Sequence, residues 1–299
     1  MQSDEADMPS AVRPSTLDLS LSDEALRPAC TSALSSLTPM LALVNHGCEA
    51  SLRNLAEAMR STIATHGTDE AMQRRSGADG VAESGTSVPL QQAHELEGHV
   101  APAADALRAC LRRVCLRVLS IALDDPALGA TLAARRLDVQ GRLCLRAYPS
   151  VAGNGAEAAP APPSQRLGAH CDSTLMTLLW ADAPGLEVLD PVKAADWTPD
   201  AVMRYGLPMM GEVSEPACLR EDQWARVHLD WSADPLLLTV GTSWLRHELM
   251  QSAPARCAVL HRVVLPDGTH ARHSLPFLAD LVPAAEAAGQ SEEASSPPP

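Results

Sequence analysis

The pattern of apolar and polar positions changes texture midway along the chain. In the first half, apolar residues recur at spacings of three and four. Leu52, Leu55, Met59 and Ile63 do so within residues 50–65, and Leu107, Cys110, Leu111, Val114, Val118 and Ile121 do so within 103–123. Each set marks one face of an amphipathic helix. A third helix is predicted from Ser22-Asp23-Glu24, where the serine suits a capping position, through an apolar-periodic run to Leu37. After about residue 141 the apolar runs become short and are broken by Pro, Gly and Asp. Leu143–Tyr148, Thr174–Leu179, Leu186–Leu189, Leu236–Val240, Ala258–Leu265 and His270–Pro276 read as strands of a sandwich or barrel. Helices first and strands second predict an α+β chain whose chemistry lies in the β portion.

Three stretches fit neither periodicity: the Gly/Ser/Ala-rich residues 74–92, the Ala/Pro/Gly insert at 152–165, and the biased tail from 283 to 299. Such compositions do not supply a packed face, and loose order is expected there. The predicted organisation is a helical region over 1–140, a β domain over 141–282 with an insert near 193–222, and the tail. There is no internal repeat.

Composition narrows the setting. With 46% hydrophobic but only 3% aromatic residues, the core must be built from Leu, Val, Ala and Met. A formal charge of −14 argues against nucleic acid, whose phosphates need clustered Lys and Arg. No apolar run approaches the roughly 20 residues of a membrane span. The acidic start lacks the basic-then-apolar pattern of a signal peptide. Eight cysteines without a CxxC pair read as buried, reduced thiols in a cytoplasmic protein.

The candidate chemistry centres on His170-Cys171-Asp172. On a strand, positions i and i+2 share a face, so both side chains can reach one ion. Alone, this pattern is common by chance. Downstream, Ala258–Leu265 sets His261 and Arg262 among apolar residues, and Asp267-Gly268 signals a hairpin. A two-residue turn would pair His261 with Ser274 and Val263 with Arg272, so that His261, Arg272 and Ser274 project together. Two histidines and one carboxylate leave open positions suited to Fe(II) oxygen chemistry. A guanidinium and a hydroxyl beside them suit a carboxylate.

With these residues in view, the sequence resembles the 2-oxoglutarate/Fe(II)-dependent dioxygenases of the isopenicillin N synthase-like group. The resemblance runs over His170–Leu179, Gly185–Val188, Trp224–Gly241, His261-Arg262-Val263 and Arg272–Phe277, with fainter echoes at Leu43–Gly47 and Tyr148-Pro149. It implies a double-stranded β-helix (jelly-roll) core with flanking, mainly N-terminal helices. His170, Asp172 and His261 would bind Fe(II), Arg272 and Ser274 would hold 2-oxoglutarate, and Tyr148 is a candidate for the same pocket, with core packing the alternative. The implied reaction consumes O2 and 2-oxoglutarate, with ascorbate as an accessory, and hydroxylates or desaturates a small organic substrate. The chain departs from the family in the long interval between Asp172 and His261, in Gly241-Thr242 where a Gly-Asp turn is usual, and in Arg146 near the usual place of an Asn.

Other residues are expected to be structural. Asn45-His46-Gly47 reads as a turn, while Cys171 and His273 alternate with site residues and should face away. His228, His247 and His270 have no partner at ligand spacing, and the five tryptophans read as core. Two other readings stay open: a non-catalytic relative that uses the pocket for binding, and a zinc hydrolase with the same His/Asp/His set.

Overall fold

A computed structural model describes residues 11–66, 86–89, 100–148, 164–194, 197–206, 219–265 and 272–284. Two β-sheets form its centre. One has the strand order β1 (Ala11–Val12), β9 (Trp224–Val227), β8 (Leu186–Leu189), β11 (His261–Leu265), β6 (Ser164–His170). The other runs β2 (Ser15–Asp18), β3 (Met40–Val44), β10 (Leu236–Val240), β7 (Met176–Ala181), β12 (Arg272–Pro283), β5 (Leu137–Tyr148), β4 (Thr86–Pro89). The β1/β9 and β2/β3 pairs are parallel and the rest antiparallel. This is a jelly-roll type of core, and the first half of the chain contributes strands to it as well as helices.

Strand alternation sorts the seven-stranded sheet into two faces. On β12, Leu275, Phe277, Ala279 and Leu281 join the core shared with the helices, while Arg272, Ser274, Pro276 and Leu278 line the pocket between the sheets. On β7, Met176, Leu178 and Trp180 take the helical side, and Thr177 and Leu179 the pocket side. The helices α1 (Asp23–Leu34), α2 (Glu49–His66) and α3 (Val100–Leu123) cover the outer face through the periodic residues Leu26, Leu52, Leu55, Met59, Leu107, Leu111, Val114 and Val118, all buried. As predicted, Ser22 caps α1, its hydroxyl accepting from the Ala25 N–H. The helix stops at Leu34, short of Leu37, where the Ser35 and Ser36 hydroxyls bond back to the carbonyls of Thr31 and Ala33.

Two expectations require correction. β11 and β12 do not pair as a hairpin, because they belong to opposite sheets. Asp267-Gly268 lies outside the described residues. Nor are all the cysteines free thiols: Cys48, just before α2, forms a disulfide with Cys110 in α3. Among the described residues, Cys30, Cys115, Cys144, Cys171 and Cys257 are free and buried, as expected. Of the stretches expected to be loosely ordered, residues 74–85, 90–92, 152–163 and 285–299 fall outside the described residues, whereas 86–89 form β4, 164–165 begin β6 and Pro283 ends β12, because each pairs with a neighbouring strand. The short helix α4 (Leu128–Ala134) follows α3, and the stretch 193–222 includes α5 (Pro199–Gly206). No helix among the described residues is long and apolar enough to cross a membrane.

Candidate metal centre

His170 ends β6 and His261 begins β11, and the two are register partners on neighbouring strands. Their rings stand 4.3 Å apart, centroid to centroid. Asp172 lies beyond the end of β6, so the shared-face argument for His-x-Asp applies only to its histidine. The chain turns after His170 and brings the Asp172 carboxylate 3.6 Å from His170 Nε2. One ligand atom from each of the three residues lies within 4.8 Å of the others.

Both histidines are oriented in the same way. His170 Nδ1 is 2.8 Å from the Gly168 carbonyl and His261 Nδ1 is 3.1 Å from the Val259 carbonyl. Each contact makes Nδ1 the protonated donor and leaves Nε2 with a free lone pair for a metal. Burial, helped by the neighbouring His170, pushes the His261 imidazole down to about 4, which favours the neutral, ligating form. Burial alone would raise the Asp172 carboxyl. The two imidazoles and the Thr177 hydroxyl outweigh it, so Asp172 is held below the usual carboxylate range and is charged.

The loop bearing Asp172 is held from two sides. Thr177 Oγ1 donates to Asp172 Oδ2 at 2.5 Å. Beneath it, the N–H groups of Gly241, Thr242 and Ser243, at the start of α6 (Thr242–Arg246), donate to the carbonyls of Leu175, Asp172 and Thr174 at 3.0, 2.8 and 3.2 Å. A Cβ at Gly241 would stand 2.0 Å from the Thr174 carbonyl oxygen, so only glycine allows this approach. Neither support was foreseen. Thr177 had a signal, being the one polar residue in the run Leu175–Leu179.

Across the pocket stands the other sheet. Arg272 is 1% exposed, and its Nε donates to the Ala183 carbonyl at 3.0 Å. Its Nη1 and Nη2 are buried without a partner. Its guanidinium carbon lies 5.3 Å from the centroid of the Tyr148 ring, and Tyr148 is its register partner on β5. Ser274 faces Arg146 in the same way. His261, Arg272 and Ser274 therefore share one pocket because two sheets face each other, not because they lie on one hairpin. Leu167, Leu179, Leu186 and Val263 add apolar walls.

Several residues stand outside the pocket, as expected. Cys171 is buried with Leu189, Val202 and Trp224 behind β6. His273 binds Asp182 through its ring and its N–H at 2.9 and 2.7 Å. His46 holds a turn, contacting the Asp234 carbonyl and the Cys48 N–H. None of the tryptophans lines the pocket. His270 lies outside the described residues.

No family model matches the sequence, and no curated protein does. Among solved structures, JOX2 in complex with 2OG, Fe and JA matches over 93% of this chain and 81% of its own, with a TM-score of 0.56 and 15% identity. A full-length Neurospora crassa protein, in complex with alpha-KG and 5-formyluracil, matches over 89% and 84% at a TM-score of 0.54 and 13% identity. A protein from Caulobacter crescentus described as of the 2OG-Fe(II) oxygenase family matches over 90% and 87% at 0.51 and 16%. The fold is that of the 2-oxoglutarate/Fe(II) oxygenases. Within this oxygenase fold, every candidate metal ligand sits on or beside one sheet, and Tyr148, Arg272 and Ser274 sit on the other.

The pocket residues fit the groups such a fold accommodates. Two imidazoles and a carboxylate are the donor set of an open Fe(II) site. A fully buried guanidinium with two unpartnered nitrogens is costly unless an anion completes it.

Proposed function

We propose that the chain is an Fe(II)- and 2-oxoglutarate-dependent oxygenase with a double-stranded β-helix core, acting on a small organic molecule. His170 and His261 would bind iron through Nε2, with Asp172 as the carboxylate ligand. Arg272 and Ser274, with Tyr148 beside them, would hold the far carboxylate of 2-oxoglutarate by fork-like, charge-assisted hydrogen bonds. The observation that carries this reading is the pair of buried Arg272 nitrogens facing the His/Asp/His cluster across one pocket.

Bound iron and 2-oxoglutarate would supply the oxidising chemistry, consuming O2 and releasing succinate and CO2 while the substrate is hydroxylated or desaturated. The residues of the chain do the rest. The Gly168 and Val259 carbonyls fix the two rings, and Thr177 orients Asp172. The apolar walls keep water from the reacting end. Ligands named for JOX2 and the Neurospora crassa protein, JA and 5-formyluracil, are small organic molecules, which supports a substrate of that class.

Incubation with Fe(II), ascorbate and carboxyl-labelled 2-oxoglutarate tests the proposal. Labelled CO2 should be released slowly even without a substrate, and His170→Ala should abolish it. Tight iron binding with no release across a broad panel of substrates would favour the non-catalytic reading. Turnover that persists without O2 would favour a hydrolase.

A further inference from the structure

Arg146 is a second guanidinium in the same pocket, and nothing so far gives it a role. It projects from β5 two residues before Tyr148, on the same face, and its register partner on β12 is Ser274. Its Nε is buried without a partner. Among the described residues lining the pocket, Asp172 is the one carboxylate, against two arginines. With a divalent metal, that balance leaves an excess of positive charge suited to a dianion.

Position along the strands separates the two arginines. On β12 the pocket-facing residues run Arg272, Ser274, Pro276, Leu278, and Leu278 is the register partner of Thr177, which binds Asp172. Arg272 is therefore at the end away from the metal ligands. Arg146, opposite Ser274, stands one strand repeat nearer to them, roughly 7 Å along the strand. The electrostatics agree. Burial opposes the charge on both arginines. At Arg146 the Tyr148 and Asp172 side chains outweigh it, whereas at Arg272 burial wins against Tyr148 and Asp182.

We propose that Arg146 anchors the carboxylate at the metal end of the 2-oxo acid, so that the pocket grips its co-substrate with one guanidinium for each carboxylate. Arg146 is thus a specificity residue, near the place where the resembled family usually carries an uncharged Asn. This rests on the oxygenase reading above. It adds that the acid binds measurably even without metal, because its metal-end carboxylate has a protein anchor of its own.

The test is calorimetric binding to the full-length protein, both stripped with EDTA and loaded with Mn(II) under argon. The probes are 2-oxoglutarate and 2-oxovalerate, which lacks the far carboxylate. Arg146→Asn should weaken both acids by a similar factor, about 10-fold or more for a lost charged hydrogen bond. It should leave Mn(II) affinity unchanged, and Arg146→Lys should recover part of the loss. Arg272→Met should weaken 2-oxoglutarate alone. The proposal is overturned if Arg146→Asn leaves both acids unaffected, weakens only 2-oxoglutarate, or acts through weaker Mn(II) binding. Failure of the wild type to bind 2-oxovalerate also overturns it. If the wild type binds no 2-oxoglutarate with or without metal, the oxygenase reading itself falls, a result distinct from the others.

Discussion

Thr177 Oγ1 donates its hydrogen bond to Asp172 Oδ2 from the neighbouring strand β7, so the carboxylate is oriented by a sheet residue although it sits on a loop. The other carboxylate oxygen, Oδ1, faces His170. Thr177→Val keeps the shape and removes only the donor. Because partners of metal ligands are worth about 10–100-fold in affinity, this variant should bind Mn(II) or Fe(II) about 10-fold or more weakly. Thermal stability should change little. Metal titration followed by calorimetry, alongside a melting curve, checks both halves.

Gly241→Ala should damage the same loop by a different route. The added methyl meets the Thr174 and Asp172 carbonyl oxygens at 2.0 and 2.9 Å, both backbone atoms that cannot swing aside. Overpacking of this kind costs about 1–3 kcal/mol. A lower melting temperature together with weaker metal binding is expected. A variant with wild-type values for both would show that the α6 N-terminus does not hold Asp172.

Arg272 links stability to function in the opposite direction. Its two unpartnered nitrogens make the ligand-free protein less stable than an apolar side chain would. Arg272→Met should therefore melt at or above the wild-type temperature while losing the stabilisation that added 2-oxoglutarate gives the wild type. That stabilisation follows RT ln(1 + [L]/Kd), about 2.7 kcal/mol at a hundredfold excess over Kd. Scanning calorimetry with and without the acid reads both effects.

Asp182 and His273 give a pH dependence away from the metal. Burial works to raise the Asp182 carboxyl, but the His273 ring and backbone N–H outweigh it, with Arg272 adding to the effect, so it is held below its ordinary value of 3.8. A carboxyl depressed in the folded state contributes stability that is full above its unfolded value and lost as pH falls through the folded one. Asp182→Asn should narrow the gap between melting temperatures at pH 6 and pH 3 relative to the wild type. An unchanged gap would mean that the pair carries no such contribution.

Much of this site was legible because metal and anion chemistry demand particular residue types. His170, Asp172, His261, Arg272 and Ser274 stand out in a sequence with 10 histidines and a 20% charged content. The helices were legible because Leu52, Leu55, Met59 and their counterparts on α3 keep a helical period. What periodicity could not reveal was which sheet a strand joins. β11 and β12 both alternate, and the Asp-Gly between them fits a tight turn, yet their partners are set by contacts with β6, β8, β5 and β7, far away in sequence. The short strands Ala11–Val12 and Ser15–Asp18 were equally hidden, since segments of two and four residues carry no measurable period. The Cys48–Cys110 link joins residues 62 apart and left no spacing motif.

The division of labour between the two sheets has a further consequence. On the proposed reading, the metal rides on one sheet and Arg272, the anchor of the far carboxylate, on the other, so a bound 2-oxo diacid reaches across the gap, with Arg146 beside its metal end. Sheets that pack face to face stand about 10 Å apart, and here Val188, Val263, Leu237 and Tyr148 help to fill that gap. The spacing then works as a ruler. Whether the pocket prefers a five-carbon diacid over one a carbon longer would be decided by these apolar side chains, most of which would touch neither carboxylate. Trimming one of them should retune chain-length preference without altering a single charged residue.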